Sequence, residues 1–94
     1  MRRADQLIRL KDQMHERLSE GSARLHRVID RLFVSPAVTI PQLRRLCGVA
    51  YQTAKADVQR LVDVGILTAF PNVRPKTFTA PEILKIAYGE SQES

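Results

Sequence analysis

The sequence predicts a mainly α-helical domain with a small β-hairpin, and three observations support this fold class. Between residues 4 and 64, apolar side chains recur at spacings of three and four in several separate segments. Two short segments rich in β-branched and aromatic residues follow, separated by a loop that contains proline. The chain has 94 residues and is 44% hydrophobic, enough for one domain with one modest core.

The first helix is predicted over residues 4–19 and should end at Gly21. Its apolar residues form a narrow stripe, consisting of Leu7, Leu10, Met14 and Leu18. A narrow stripe is typical of a seam between two helices rather than of a broad core face. We therefore expect residues 1–21 to form a separate N-terminal element, either a linker from a further domain or a helix that dimerises through this stripe.

The next elements begin the main domain. Ser22 is the predicted N-cap of a second helix over residues 23–34, which ends at a Ser-Pro pair. The β-branched residues 38–40 predict one short strand. Pro41 suits the first turn of a third helix over residues 41–47, because the missing N–H of proline costs nothing there. The apolar side chains expected to face inward from this helix are Leu43, Leu46 and Cys47.

A tight turn at Gly48 joins the third helix to a fourth, predicted over residues 51–64. Cys47 and Ala54 are small enough to let the two helices cross closely, with Val49 filling the turn. The inward face of the fourth helix consists of Ala54, Val58, Leu61 and Val62. An ordinary αα-hairpin also fits these two helices, but the β-hairpin that follows favours a helix-turn-helix.

The hairpin consists of predicted strands at 66–70 and 76–79, which flank the turn-forming loop 71–75. Pro81 opens a last helix, and the polar residues 90–94 are expected to form a disordered tail. From residue 23 the order is helix, strand, helix, turn, helix, hairpin. This order predicts a winged helix-turn-helix domain over residues 22–89, preceded by the extra N-terminal helix.

The outward side chains of this domain suit double-stranded DNA. Glutamine can pair with adenine and arginine with guanine in the major groove, while arginines on the preceding helix and the wing can contact phosphates. The net charge is +5, and residues 21–80 carry nine Lys and Arg against three Asp. The predicted DNA contacts are Arg44, Arg45, Tyr51, Gln52, Thr53, Lys55, Gln59, Arg60, Arg74 and Lys76. The alternatives are a solvated basic surface and a protein-interaction or dimerisation module.

The residues give no support to catalysis, a metal site or a cofactor. Asp12, His15 and Glu16 share a helical face, but no Cys or second His is placed to complete a metal shell, so an exposed charge network is expected. His26 and Cys47 are interpreted as structural residues. The absence of a long apolar run and the single cysteine favour a cytoplasmic protein without a membrane partner.

Residues 22–87 resemble the C-terminal winged-helix domain of bacterial Fic-family (filamentation induced by cAMP) proteins. The resemblance lies in residues 31–67, RLFVSPAVTIPQLRRLCGVAYQTAKADVQRLVDVGIL, with a VT strand, a GVSY-type turn, a TA pair and an RLV-x-x-GIL exit. It implies a DNA-binding regulatory module, preceded by the helix that leaves a Fic catalytic domain. That missing domain would then be a partner.

The same resemblance implies that any AMP transfer belongs to a part of the parent protein outside this chain. Fic enzymes carry an HPFxxGNGR-type motif, and neither His15 nor His26 is followed by Pro-Phe. Two further departures concern DNA binding. Ala50 stands where the family often has a serine cap, which weakens the N-terminus of the recognition helix by about 1 kcal/mol. The wing carries only Arg74 and Lys76, whereas the family's wing is often strongly basic.

Overall fold

The computed structural model describes residues 2–18 and 23–89 of the chain. Its helices are α1 (Arg3–Arg17), α2 (Ala23–Leu32), α3 (Ile40–Cys47), α4 (Tyr51–Asp63) and α5 (Pro81–Leu84), which continues into a π-helical turn (Lys85–Gly89). Its strands are β1 (Ala37–Thr39), β2 (Thr68–Phe70) and β3 (Thr77–Thr79). The predicted fold class, mainly helical with a small β-hairpin and an extra N-terminal helix, is confirmed. The predicted helix end at Gly21, the predicted cap at Ser22 and the tail 90–94 lie outside the described residues.

The sheet is antiparallel, with β3 between β1 and β2. Phe78 in the central strand is opposite Val38 on one side and Ala69 on the other, and it is buried. The predicted hairpin thus gains β1 as its third strand. Because β1 leads directly into α3, the sheet connects the wing to the helices.

Two strand boundaries differ from the prediction for local reasons. Ile40 is the first residue of α3 rather than part of β1, because Thr39 caps that helix. Ile66 and Leu67 precede β2, and their N–H groups donate to the Leu61 carbonyl at 2.9 and 3.2 Å. These bonds cap the end of α4, where Gly65 adopts φ 80°. The β-branched and apolar character of these residues therefore reflects burial, not strand pairing.

Helix α1 belongs to the same core as the rest of the chain. It packs on α2, α5 and the π-helical turn, and Leu10, Met14 and Leu18 are 6%, 0% and 1% exposed. Leu7 is half-buried against the same core. The structure thus contradicts the expected dimer surface, because these side chains are buried within one chain. The boundary predicted at residue 21 does not separate two cores.

Polar side chains also fix α1 in place. The Arg17 guanidinium donates to both carboxylate oxygens of Glu82 at 2.7 and 3.1 Å, which ties α1 to α5. The rings of His15 and His26 stack with their Nδ1 atoms 2.6 Å apart, and His15 Nε2 lies 2.8 Å from the carboxylate of Asp30. His26, expected to be a lone structural histidine, is therefore one of a pair between α1 and α2. None of the helices formed by residues 2–18 and 23–89 is both long and apolar enough to cross a membrane.

Candidate nucleic-acid interface

Local interactions fix both ends of α3. The Gln42 N–H donates to Thr39 Oγ1 at 3.2 Å, and the Thr39 N–H donates to Gln42 Oε1 at 3.0 Å, which completes a capping box. Pro41 occupies the first turn, as predicted. At the other end Gly48 adopts φ 67° and donates to the Arg44 carbonyl at 2.8 Å. The turn that a helix-turn-helix requires is therefore present at the predicted glycine.

Helix α3 buries Ile40 and Leu43 fully and Cys47 partly. Leu46, predicted to face inward, is 41% exposed, which corrects the sequence interpretation. The physical reason is the angular spacing: residues 40, 43 and 47 lie along one side of the helix, so residue 46 lies at its edge. Burial raises the pKa of the Cys47 thiol, as does the nearby charge of Asp57, and the thiol is therefore a poor nucleophile at neutral pH.

Helix α4 begins differently, because no side chain caps its first turn among the described residues. Ala50 has the extended conformation of an N-cap residue, with φ −70° and ψ 159°, but its methyl group offers no acceptor. The first turn of any helix leaves backbone N–H groups without partners inside the helix. These groups and the helix dipole favour an anion at this end.

The buried side of α4 is defined by Ala54, Val58 and Leu61, each at most 2% exposed. Ala54 is fully buried, as the predicted close approach of α3 and α4 requires, and these two helices pack on each other. The opposite side of α4 is exposed at Gln52, Lys55, Gln59 and Arg60, whereas Thr53 is half-buried. Tyr51 is 48% exposed at the start of the helix. The structure thus brings most predicted contacts on α4 onto one accessible face.

One of these side chains has a partner that the sequence analysis missed. Gln59 Nε2 donates to Asp63 Oδ1 at 2.8 Å, one helical turn further along the same face. The spacing of four residues would have indicated this pair. The bond occupies a donor of the Gln59 amide and places a carboxylate at the end of the face, so Gln52 is better placed than Gln59 to donate to a base.

Arg44 and Arg45 are exposed on α3, beside the turn that leads to α4. In the described part of the chain neither guanidinium forms an ion pair or a hydrogen bond. Arg74 and Lys76 are exposed in the loop between β2 and β3, and the Lys76 ammonium lies 5.5 Å from the centroid of the Phe78 ring. The loop reaches α3 through the sheet, because β3 pairs with β1.

The orientation of α4 depends on an ion pair that the sequence analysis did not identify. Asp57 lies on the buried side of α4, and its side chain is 7% exposed. It accepts two hydrogen bonds from Arg24 of α2, Nε to Oδ2 at 2.7 Å and Nη2 to Oδ1 at 3.0 Å. These bonds raise the pKa of Arg24. An aspartate next to Val58 on the inward side of α4 indicates a buried ion pair. Its partner, however, lies 33 residues earlier, so local spacing does not identify it.

The predicted contact residues lie on an exposed surface formed by α4, α3 and the loop between β2 and β3. Within the described residues, no three His, Cys, Asp or Glu side chains are grouped so as to hold a metal ion. Apart from Asp63 at the end of α4, the exposed polar side chains among the predicted contacts on α4, α3 and the wing are positively charged or neutral. Such groups can bind a polyanion without transforming it.

Comparison with known proteins does not assign the chain to a family. No protein-family model matches the chain, and no curated protein matches it. The resemblance to Fic-family winged-helix domains therefore stays a prediction that rests on residues 31–67.

Proposed function

We propose that this protein binds double-stranded DNA, with α4 in the major groove and α3 and the wing on the phosphate backbone. One observation carries the proposal: α4 is fixed on one side by core contacts and by the Arg24–Asp57 pair, while its other side presents exposed glutamine, lysine and arginine. A rigid helix with such a face suits the major groove, which admits an α-helix.

The uncapped N-terminus of α4 supports this orientation. In a helix-turn-helix complex the first residues of the recognition helix come closest to the DNA. The N–H groups there, which receive no side-chain oxygen from Ala50, can donate to a phosphate. Arg44 and Arg45 add two cations on the preceding helix, so α3 would contact the backbone while α4 enters the groove.

The side chains then have distinct roles. Gln52 and Arg60 read base edges, because both side chains are exposed on α4 and have no hydrogen-bond partner within the described residues. Arg44, Arg45 and Lys55 contact phosphates, and Arg74 and Lys76 do so from the wing. Tyr51 and Thr53 border the helix start, and Gln59 can contribute its carbonyl and one N–H, because Asp63 accepts the other N–H.

The test is a titration of short duplexes by fluorescence anisotropy over a range of salt concentrations. Affinity should fall as salt rises, and Arg45→Ala should reduce the slope of log K against log salt by about one, equally for all sequences. Gln52→Ala should instead reduce the preference among sequences. Lys11→Ala is the matched control, since it also removes one positive charge, but from α1, where Lys11 is 3.5 Å from Asp30.

Two results would contradict the proposal. One is no binding of any duplex at low salt, about 50 mM. The other is an equal loss of salt slope in Arg45→Ala and Lys11→Ala, which would show that net charge, not α3, determines the affinity. Dimerisation through the apolar stripe of α1 is not supported, because Leu10, Met14 and Leu18 are buried within the chain.

We also propose a cytoplasmic location and a place in the C-terminal regulatory part of a Fic-family protein. The location is supported by the single free cysteine, Cys47, because a reducing compartment keeps thiols unpaired. The family is supported by the resemblance of residues 31–67. Sequencing the gene upstream in the same reading frame tests the family, and a frame without an HPFxxGNGR-type motif would count against it.

A further inference from the structure

A surface cleft of about 390 Å³ lies between α2, β1 and α3. Its floor is apolar: Val28, Leu32 and Val38 line it but are at most 6% exposed, so Ala37 and Leu46, which is 41% exposed, supply most of the apolar surface that a ligand can contact. This is the leucine that the sequence analysis expected to face the core. A cleft of this size and composition is at the small end of the range for binding sites, and it fits an apolar side chain with part of its backbone.

The charged side chains described as lining the cleft are both positive. Arg31 of α2 and Arg45 of α3 line it, so both helical walls supply a guanidinium. Among the described residues neither guanidinium forms an ion pair or a hydrogen bond, and none of the described lining residues is acidic. Arg24, on the same helix as Arg31, shows the contrast, because its guanidinium donates two hydrogen bonds to Asp57.

We propose that this cleft binds an acidic peptide segment of a partner protein, with a leucine-sized side chain on the apolar floor and carboxylates at Arg31 and Arg45. Apolar contact supplies the affinity and the guanidinium pairs supply the orientation. Protein interfaces favour this combination, an apolar centre with arginine enriched around it. Duplex DNA is a poor occupant, because it offers phosphates to the arginines but no apolar side chain for the floor.

The cleft shares Arg45 with the proposed DNA surface, so a bound acidic peptide would weaken DNA binding by taking that guanidinium. This consequence rests on the proposed function, whereas the peptide site does not. The peptide is therefore tested without DNA, and failure of one proposal leaves the other measurable.

The experiment titrates the full chain, labelled with nitrogen-15, with an acetylated heptapeptide that has a central leucine and two aspartates on each side. We expect saturable shifts in the amide signals of Val38 and Leu46, with little change in α4. A peptide with lysines in place of the aspartates and one with serine in place of the leucine should each bind at least about tenfold more weakly.

Charge reversal locates the site on the protein. Arg45→Glu should raise the Kd of the acidic peptide at least about tenfold, and Arg31→Glu should do the same. Arg44→Glu is the matched control, since it makes the same charge change on the adjacent residue of α3, which does not line the cleft. It should change the Kd less than about threefold. All three side chains are exposed, so the variants should fold, and their amide spectra check this.

Any one of these outcomes would overturn the proposal: no saturable shift at millimolar peptide, equal binding of the lysine peptide, equal binding of the serine peptide, or an equal effect of Arg44→Glu and Arg45→Glu. Amide shifts centred on α4 would also overturn it, because the peptide would then bind the proposed DNA surface as a polyanion.

Discussion

The two helices of the helix-turn-helix are held in different ways. Helix α3 has a complete capping box between Thr39 and Gln42, a proline in its first turn and a left-handed glycine at its end. Helix α4 has no side-chain cap among the described residues, and its position depends on distant partners, above all on Arg24 of α2. Local sequence therefore defines α3, whereas tertiary contacts define α4.

The difference has a functional consequence. A side-chain cap occupies part of the N–H groups of the first turn, as Thr39 does for Gln42 in α3, whereas an uncapped helix start keeps them available for a ligand. The proposed DNA-binding helix is the uncapped one. Its stability comes mainly from its inward side, through buried apolar residues and the carboxylate of Asp57, and on its exposed face only Gln59 and Asp63 are hydrogen-bonded to each other among the described side chains. Substitutions that remove or add a side-chain cap, and substitutions that remove a tertiary ion pair, should therefore change stability by different amounts.

The largest effect is expected from Arg24→Ala. This change leaves the Asp57 carboxylate, which is 7% exposed, without its partner. A buried polar group left unsatisfied costs about 1–3 kcal/mol, so the free energy of unfolding should fall by that amount in urea denaturation. Arg27→Ala, on an exposed position of the same helix, is the control and should stay within about 0.5 kcal/mol of the parent. Equal losses in the two variants would mean that tertiary ion pairing does not hold α4.

A smaller and opposite pair of effects is expected at the helix N-termini. Thr39→Ala removes the capping box of α3 and should lower the free energy of unfolding by about 1 kcal/mol. Ala50→Ser supplies the oxygen that α4 lacks, at a residue whose backbone already has N-cap geometry, and should raise it by about 0.5–1 kcal/mol. Thermal and urea unfolding measure both. An unchanged stability of Ala50→Ser would show that another group already satisfies the start of α4.

The same contrast explains how much could be predicted from sequence. The elements, the turn at Gly48 and the buried Ala54 were predictable because periodicity, proline and glycine act over a few residues. The exposed face of α4 followed from the same periodicity. The burial of the α1 stripe in the chain's own core, the Arg24–Asp57 pair and the His15–His26 pair were missed. They join residues on different helices, and nothing in local spacing identifies the partner.

Leu46 shows a second kind of limit. Its apolar character and its position three residues after Leu43 predicted burial, and only the packing of α2, β1 and α3 shows that it borders an open cleft. Binary patterning distinguishes inside from outside, but it does not distinguish a core position from the edge of a binding site.

The smallest effect is expected at Arg17 and Glu82, which also share two hydrogen bonds but whose carboxylate is 42% exposed, against 7% for Asp57. Hydrogen bonds from Arg17 hold the pKa of Glu82 below its ordinary value, although partial burial opposes them. A carboxylate with a lowered pKa in the folded state stabilises the protein above its ordinary pKa, and the contribution disappears as pH falls through the lowered one. Because solvent screens the pair, its contribution should be below about 1 kcal/mol.

Glu82→Gln tests this pair against the buried one. The variant should be slightly less stable than the parent near pH 7, and the difference should disappear as the pH falls through the lowered pKa of Glu82, because the parent's carboxylate then becomes neutral as well. Added salt should shrink the difference at neutral pH, whereas the loss in Arg24→Ala should respond less, because Asp57 is shielded from ions. A difference that persists in acid would mean that Glu82 acts through packing. If added salt reduced the stability loss of both variants equally, burial would not make the Arg24–Asp57 pair different from the Arg17–Glu82 pair.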